Sequence, residues 1–102
     1  MDAGALEDLG GGRFALSGDL VFATVAPLLA AGDAAFARLA AADLDLARVG
    51  RVDSAGLALL LEWSVSRRAA GRAIAYRNAP PAIRTLARIG EVEGLLAEAG
   101  AG

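Results

Sequence analysis

Ser54, Asp45, Asp53 and Tyr76 are the side chains with which this chain could attempt chemistry, and their context narrows what they can do. Histidine and cysteine are absent from its 102 residues. That removes a Ser-His-Asp triad, a histidine base, histidine and cysteine metal sites, thiol chemistry and disulfides. Ser54 follows Val52-Asp53, whereas a nucleophile elbow needs glycine two positions before the serine. Asp45 and Asp53 invite a magnesium reading, but nearby acids on loops more commonly cap helices and form turns. Gly10-Gly11-Gly12 is not followed by Gly-Lys-Ser/Thr, so a turn is expected there rather than a phosphate loop. No enzyme, metal or cofactor is expected.

What remains is the chemistry of a binding surface, and the stretch Arg51-Val52-Asp53-Ser54-Ala55-Gly56-Leu57 is its best candidate. Asp53 or Ser54 can cap a helix starting here by accepting from its first free N–H groups. The partial positive charge at that end tolerates an anion, including a phosphate on Ser54. Gly56 removes side-chain bulk where a partner's backbone could approach. The plain alternative is an ordinary capped helix. Farther along, Leu57, Ala58, Leu61, Val65 and Ala69 form a sufficient core-facing stripe. Leu59 and Trp63 then project roughly opposite, over Ser66 and Ala70. Such residues either meet a protein partner or are covered by another element of the fold. Arg67, Arg68 and Arg72 suit the helix C-terminus as solvated charges, as do Arg84 and Arg88 on the next helix.

These residues need elements to position them. Leu6 and Leu9 before the glycines, and Phe14 and Leu16 after them, predict a hairpin. A helix is expected from about Thr24 to Phe36, with Pro27 tolerated in its first turn. A short strand over residues 43–46 precedes a loop over 47–52. A long helix spans residues 54–70 and ends at Gly71, suited to a left-handed cap. A strand over 73–76 follows. Asn78 is the expected N-cap of a helix opened by Pro80-Pro81 and ended by Gly90. A last helical segment is expected over 92–97. This order predicts an α/β fold, a small mixed sheet of four to five strands with helices packed on it and right-handed crossovers.

The composition agrees with one binding domain over residues 1–102. Hydrophobic residues are 56% and charged residues 22%, too apolar for a disordered chain and enough for a modest core. All ten basic residues are arginine against twelve acids, a net charge of −2 that argues against nucleic-acid binding. The arginine and alanine bias fits a GC-rich genome. Neither a signal peptide nor a membrane span is expected.

Four motifs carry a resemblance: Ser17-Gly18-Asp19-Leu20, Asp45-Leu46, Val52-Asp53-Ser54-Ala55-Gly56-Leu57, and the strand–Asn78–helix junction. Together they make nearly the whole chain resemble a STAS domain, the fold of anti-sigma factor antagonists and of sulfate-transporter tails. The resemblance implies that the Asp-Ser/Thr-x-Gly-Leu motif opens the second helix and faces a partner protein. It also puts Ser54 at the position that a partner kinase phosphorylates in anti-sigma factor antagonists. Residues 48–54, 56–61 and 85–88 are most similar to MlaB-type subunits, the small STAS members of Mla phospholipid transporters. The chain departs from these at Ser54 and Ala55, where threonine and glycine are common. The likeness implies a non-catalytic subunit that binds and supports the cytoplasmic ATPase of an ABC transporter. That transporter would move phospholipid and maintain outer-membrane lipid asymmetry. The subunit would be cytoplasmic, held at the inner face of the inner membrane through its partner. Arg51, Asp53, Ser54, Ala55, Gly56, Leu59 and Trp63 are the partner-binding residues expected. The alternative is an anti-sigma factor antagonist regulated by phosphorylation of Ser54, its partner an anti-sigma factor kinase.

Overall fold

Glycines turn the chain back on itself at the expected place. Strand β1 (Ala5–Gly10) pairs antiparallel with β2 (Arg13–Leu20), setting Leu6 opposite Leu16. The structure is a computed structural model that describes residues 4–90. The remaining elements follow as α1 (Val25–Phe36), β3 (Ala41–Val52), α2 (Ser54–Ala69), β4 (Ala73–Arg77) and α3 (Pro81–Ile89). The strands lie in the order β1-β2-β3-β4, with β2, β3 and β4 parallel. This is the α/β fold expected, a four-stranded mixed sheet with three helices. The expected segment over 92–97 lies outside the described residues.

Alternation along the parallel strands places the core. Phe14, Leu16, Leu44, Leu46, Ile74 and Tyr76 are buried under the helices, as a sheet covered on one face requires. Helix α1 meets them with Leu28, Gly32 and Phe36, one residue per turn on a single stripe. Phe14, Phe36 and Trp63 stack edge to face, with ring centroids 5.0 and 5.3 Å apart, linking sheet, α1 and α2. Gly32 is where α1 lets Trp63 in: a Cβ there would stand 2.8 Å from the indole Nε1 and closer still to the ring carbons.

Four expectations need correction. The stretch over 47–52 is strand, not loop. It continues β3 beyond Asp45, where pairing with β4 ends, and pairs with β2 through Ser17–Arg48, Gly18–Val49 and Leu20–Val52. Two register shifts along this ladder accommodate the glycine-containing, polar sequence. The phase of α2 also differs. Gly56, Leu57, Leu59, Leu60, Trp63 and Arg67 are its buried residues, while Ala58, Val65 and Ala69 are exposed.

The third correction is Arg67, which is only 6% exposed. Its guanidinium donates to the carbonyls of Phe36 (2.6 Å), Leu39 (2.9 Å) and Ala73 (2.6 and 3.1 Å) and lies over the Phe36 ring. The stem and planar fork thus close the lower end of the core, tying α1, α2 and β4. The fourth is Asn78. It adopts φ 56°, outside the helix, and donates to Asp45 Oδ1 at 3.0 Å, while Pro80 occupies the N-cap of α3. Gly71, with φ +70°, follows the C-cap of α2 as expected.

Candidate functional site

The strand ends of β2 and β3 deliver the start of α2 to the surface, and four hydrogen bonds accepted by the carboxylates of Asp19 and Asp53 hold it there. Asp19, buried at the end of β2, accepts from the Arg51 N–H at 2.9 Å. Gly50 leaves room for this carboxylate, because a Cβ there would sit 2.6 Å from Asp19 Oδ1 and displace it. The Thr24 hydroxyl donates to the Asp19 carbonyl at 2.6 Å and accepts from the Val21 N–H at 3.0 Å, folding the loop between β2 and α1 over the strand end.

Asp53 then joins that loop to the helix. Its Oδ1 accepts from the N–H groups of Ala55 (2.9 Å) and Gly56 (3.2 Å), the arrangement of an N-cap. Its Oδ2 accepts from the Phe22 N–H at 3.1 Å, and its own N–H donates to the Leu20 carbonyl at 3.2 Å. The N–H of Phe22 foremost, then those of Gly56 and Ala55, hold this carboxyl below the usual carboxylate range against a smaller opposing effect of burial. An acid occupied in this way is a clamp.

The motif therefore divides by direction. Arg51 and Ser54 are exposed, and Asp53 and Ala55 are half-buried. Gly56 faces inward: a Cβ there would run into the Leu20 carbonyl oxygen and stand 2.8 Å from Leu20 Cβ. The close approach expected of a partner's backbone is made by the chain's own β2 instead. Leu59 (3% exposed) and Trp63 (1%) are corrected likewise, since they fill the core between α1 and the sheet and present nothing to a partner. The sequence reading missed Phe22, which is 83% exposed. It lines a shallow hollow with Val21, Ala23, Arg51, Val52 and Asp53 beside the α2 start. The available signal was an aromatic residue in the short segment between a strand and a helix, where no core stripe calls for one.

The other reactive candidates are used in the fold. Asp45 accepts from Asn78 and from the Ala47 N–H at 2.9 Å, and these bonds, that of Asn78 first, hold its carboxyl low. The Tyr76 hydroxyl donates to the Leu60 carbonyl at 2.6 Å, and burial pushes its pKa upward, so it stays protonated. Among the described residues no group of three or more acids could hold a metal ion. No described helix is long and apolar enough to cross a membrane.

Comparison with known proteins gives a consistent picture. Residues 7–97 match the family model described as "Mlab, STAS domain". The fold is similar to that of an anti-sigma factor antagonist from Mycobacterium paratuberculosis, at TM-score 0.75 and 20% identity over 99% of this chain and 87% of that one. It is also similar to the anti-sigma factor antagonist SpoIIAA in its unphosphorylated form, at TM-score 0.71 and 19% identity, covering 95% of this chain and 88% of that one. The Bacillus cell fate determinant SpoIIAA in its phosphorylated form aligns at TM-score 0.70 and 19% identity, over 95% of this chain and 91% of that one. No curated protein sequence matches the chain.

Proposed function

This chain belongs to the STAS domain family, and from that premise we propose that it is a non-catalytic subunit that binds and supports the cytoplasmic ATPase of an ABC transporter for phospholipid. One observation carries the reading. The exposed surface at the α2 start brings Phe22 and Arg51 to one hollow, with the exposed Ser54 next in sequence to the Asp53 that also lines it, on a backbone fixed by Asp19 and Asp53. An exposed aromatic residue on a rigid base, flanked by a cation and a hydroxyl, is the composition of a protein-binding hot spot. The family model's description supports an Mla-type assignment. The subunit then sits at the inner face of the inner membrane through its partner, and its role is contact. Co-expression with the ATPase encoded nearest its gene is expected to yield a complex that Ser54→Arg and Phe22→Ala each weaken. Normal binding by both folded variants would exclude this surface.

A second reading has its own support. The similar solved structures are anti-sigma factor antagonists, and Ser54 is exposed at the first turn of α2. A kinase could reach its hydroxyl, and the helix N-terminus favours the added charge. Incubation with a serine kinase of the anti-sigma class and ATP, read by intact mass, should then add one phosphate that Ser54→Ala abolishes.

A further inference from the structure

The described helices cover one face of the sheet, and the opposite face carries a pattern of charge that the α2 start does not use. Because Phe14, Leu16, Leu44, Leu46, Ile74 and Tyr76 point into the core, Ala15, Asp43, Asp45, Ala75 and Arg77 project the other way. Strand register arranges them in rows. One row crosses all four strands as Glu7–Ala15–Asp45–Arg77. The next crosses three as Arg13–Asp43–Ala75. Glu7, Arg13 and Arg77 are exposed, and the Arg77–Asp43 ion pair at 2.7 Å ties the two rows together.

These rows are self-complementary. A half-turn about an axis parallel to the strands, midway between β2 and β3, exchanges β1 with β4 and β2 with β3. It moves no row along the strands. A second copy laid on this face by that rotation sets Glu7 against the second copy's Arg77 and Arg13 against its Asp43, and symmetry gives each contact twice. Asp45 meets the methyl of Ala15 rather than another acid. No like charges are opposed. Aligned sheets cross at about 30°, which offsets the outer pair by only a few ångströms, within the reach of a glutamate and an arginine.

We infer that this open face is a self-association surface whose occupant is a second copy of the same chain, joined through the Glu7–Arg77 and Arg13–Asp43 contacts. Complementarity to itself under a two-fold rotation is what an isologous interface requires. Four strands about 4.8 Å apart make a small face, below the roughly 1,200 Å² of a standard interface, so the dimer is weak and concentration-dependent. The α2 start lies on the helix side and stays open in such a dimer.

The test is sedimentation equilibrium of the full chain from about 10 µM to about 1 mM at low salt. The wild-type protein is expected to shift from monomer to dimer across this range, and less so at high salt, where charge pairs are screened. Glu7→Arg alone sets two arginines against each other twice, and Arg77→Glu alone does the same with two glutamates. Each is expected to raise the dimer Kd at least about tenfold. Mixed in equal amounts, the two variants restore both contacts in a heterodimer, and the dimer mass should return. That rescue separates a lost contact from a misfolded variant. A wild-type protein that stays monomeric throughout, reversals that leave the dimer intact, or a mixture that does not recover would each overturn the proposal.

Discussion

Replacing Arg67 by methionine should cost far more than removal of a helix-end surface charge. Methionine keeps much of the unbranched stem that packs near Phe36, so the loss is chiefly polar. Three carbonyls lose a donor, though unequally. Phe36 O still accepts from the Leu39 N–H at 3.0 Å, and Leu39 O from the Arg72 guanidinium at 3.0 Å. Ala73 O loses two side-chain donors at once, from Nε and from a terminal nitrogen. An acceptor left unpaired costs about 1–3 kcal/mol, and bonds to a charged group contribute about 1.5–3 kcal/mol each. Returning the guanidinium to water refunds part of this, so a net loss of about 3 kcal/mol is expected. That is a large share of the roughly 5–15 kcal/mol that holds a domain folded. Urea unfolding followed by circular dichroism should show a midpoint lowered by at least about 1 M with an unchanged slope. Lysine should fail almost as badly, since an ammonium cannot reach three diverging carbonyls with a planar fork. A loss under about 1 kcal/mol for Arg67→Met, or wild-type stability for Arg67→Lys, would refute the clamp and return Arg67 to the class of solvated charges.

Three further outcomes are expected. Gly56→Ala gains about 1 kcal/mol of helix propensity but drives a methyl into the Leu20 carbonyl, so a net loss of about 1–2 kcal/mol in urea unfolding is predicted. Phe22→Ala, which removes a ring that is 83% exposed, should change stability by less than about 0.5 kcal/mol while lowering affinity for the proposed ATPase partner at least about tenfold in a titration. The carboxyls of Asp53 and Asp45 titrate below their ordinary value when folded, so the stability they add is present above that ordinary value and is lost as pH falls through the lower folded values. Asp53→Asn keeps an acceptor for the cap and should flatten the fall of the urea midpoint as pH drops below about 4.

Element order, the hairpin and the cores of all four strands were legible because each rests on local chemistry. Glycines turn, prolines open helices, and β2 and β4 alternate. The end of β3 was not legible, because Ala47-Arg48-Val49-Gly50-Arg51 has the composition of a loop and becomes strand only by pairing with β2. The phase of α2 was not legible for a different reason. Leu57 to Leu61 is apolar without a break, so the helical wheel has no polar side to set it. Arg67 was assigned to solvent because it is charged, yet it lies one turn below Trp63 on the buried stripe, where three carbonyls from other elements await it. Tertiary partners decided each of these points.

The same division governs how the α2 start should be probed. Asp53 and Gly56 are the motif's most recognisable residues, and both face the chain itself, one clamping the Phe22 loop and the other admitting Leu20. A binding defect in a variant at either position therefore mixes lost contact with a displaced loop. That framework uses only the backbone N–H groups of Arg51 and Phe22, so substitutions of the side chains of Arg51, Ser54 and Phe22 leave its bonds in place and test contact. The clamp also links them, because the carboxylate that caps α2 holds the Phe22 N–H.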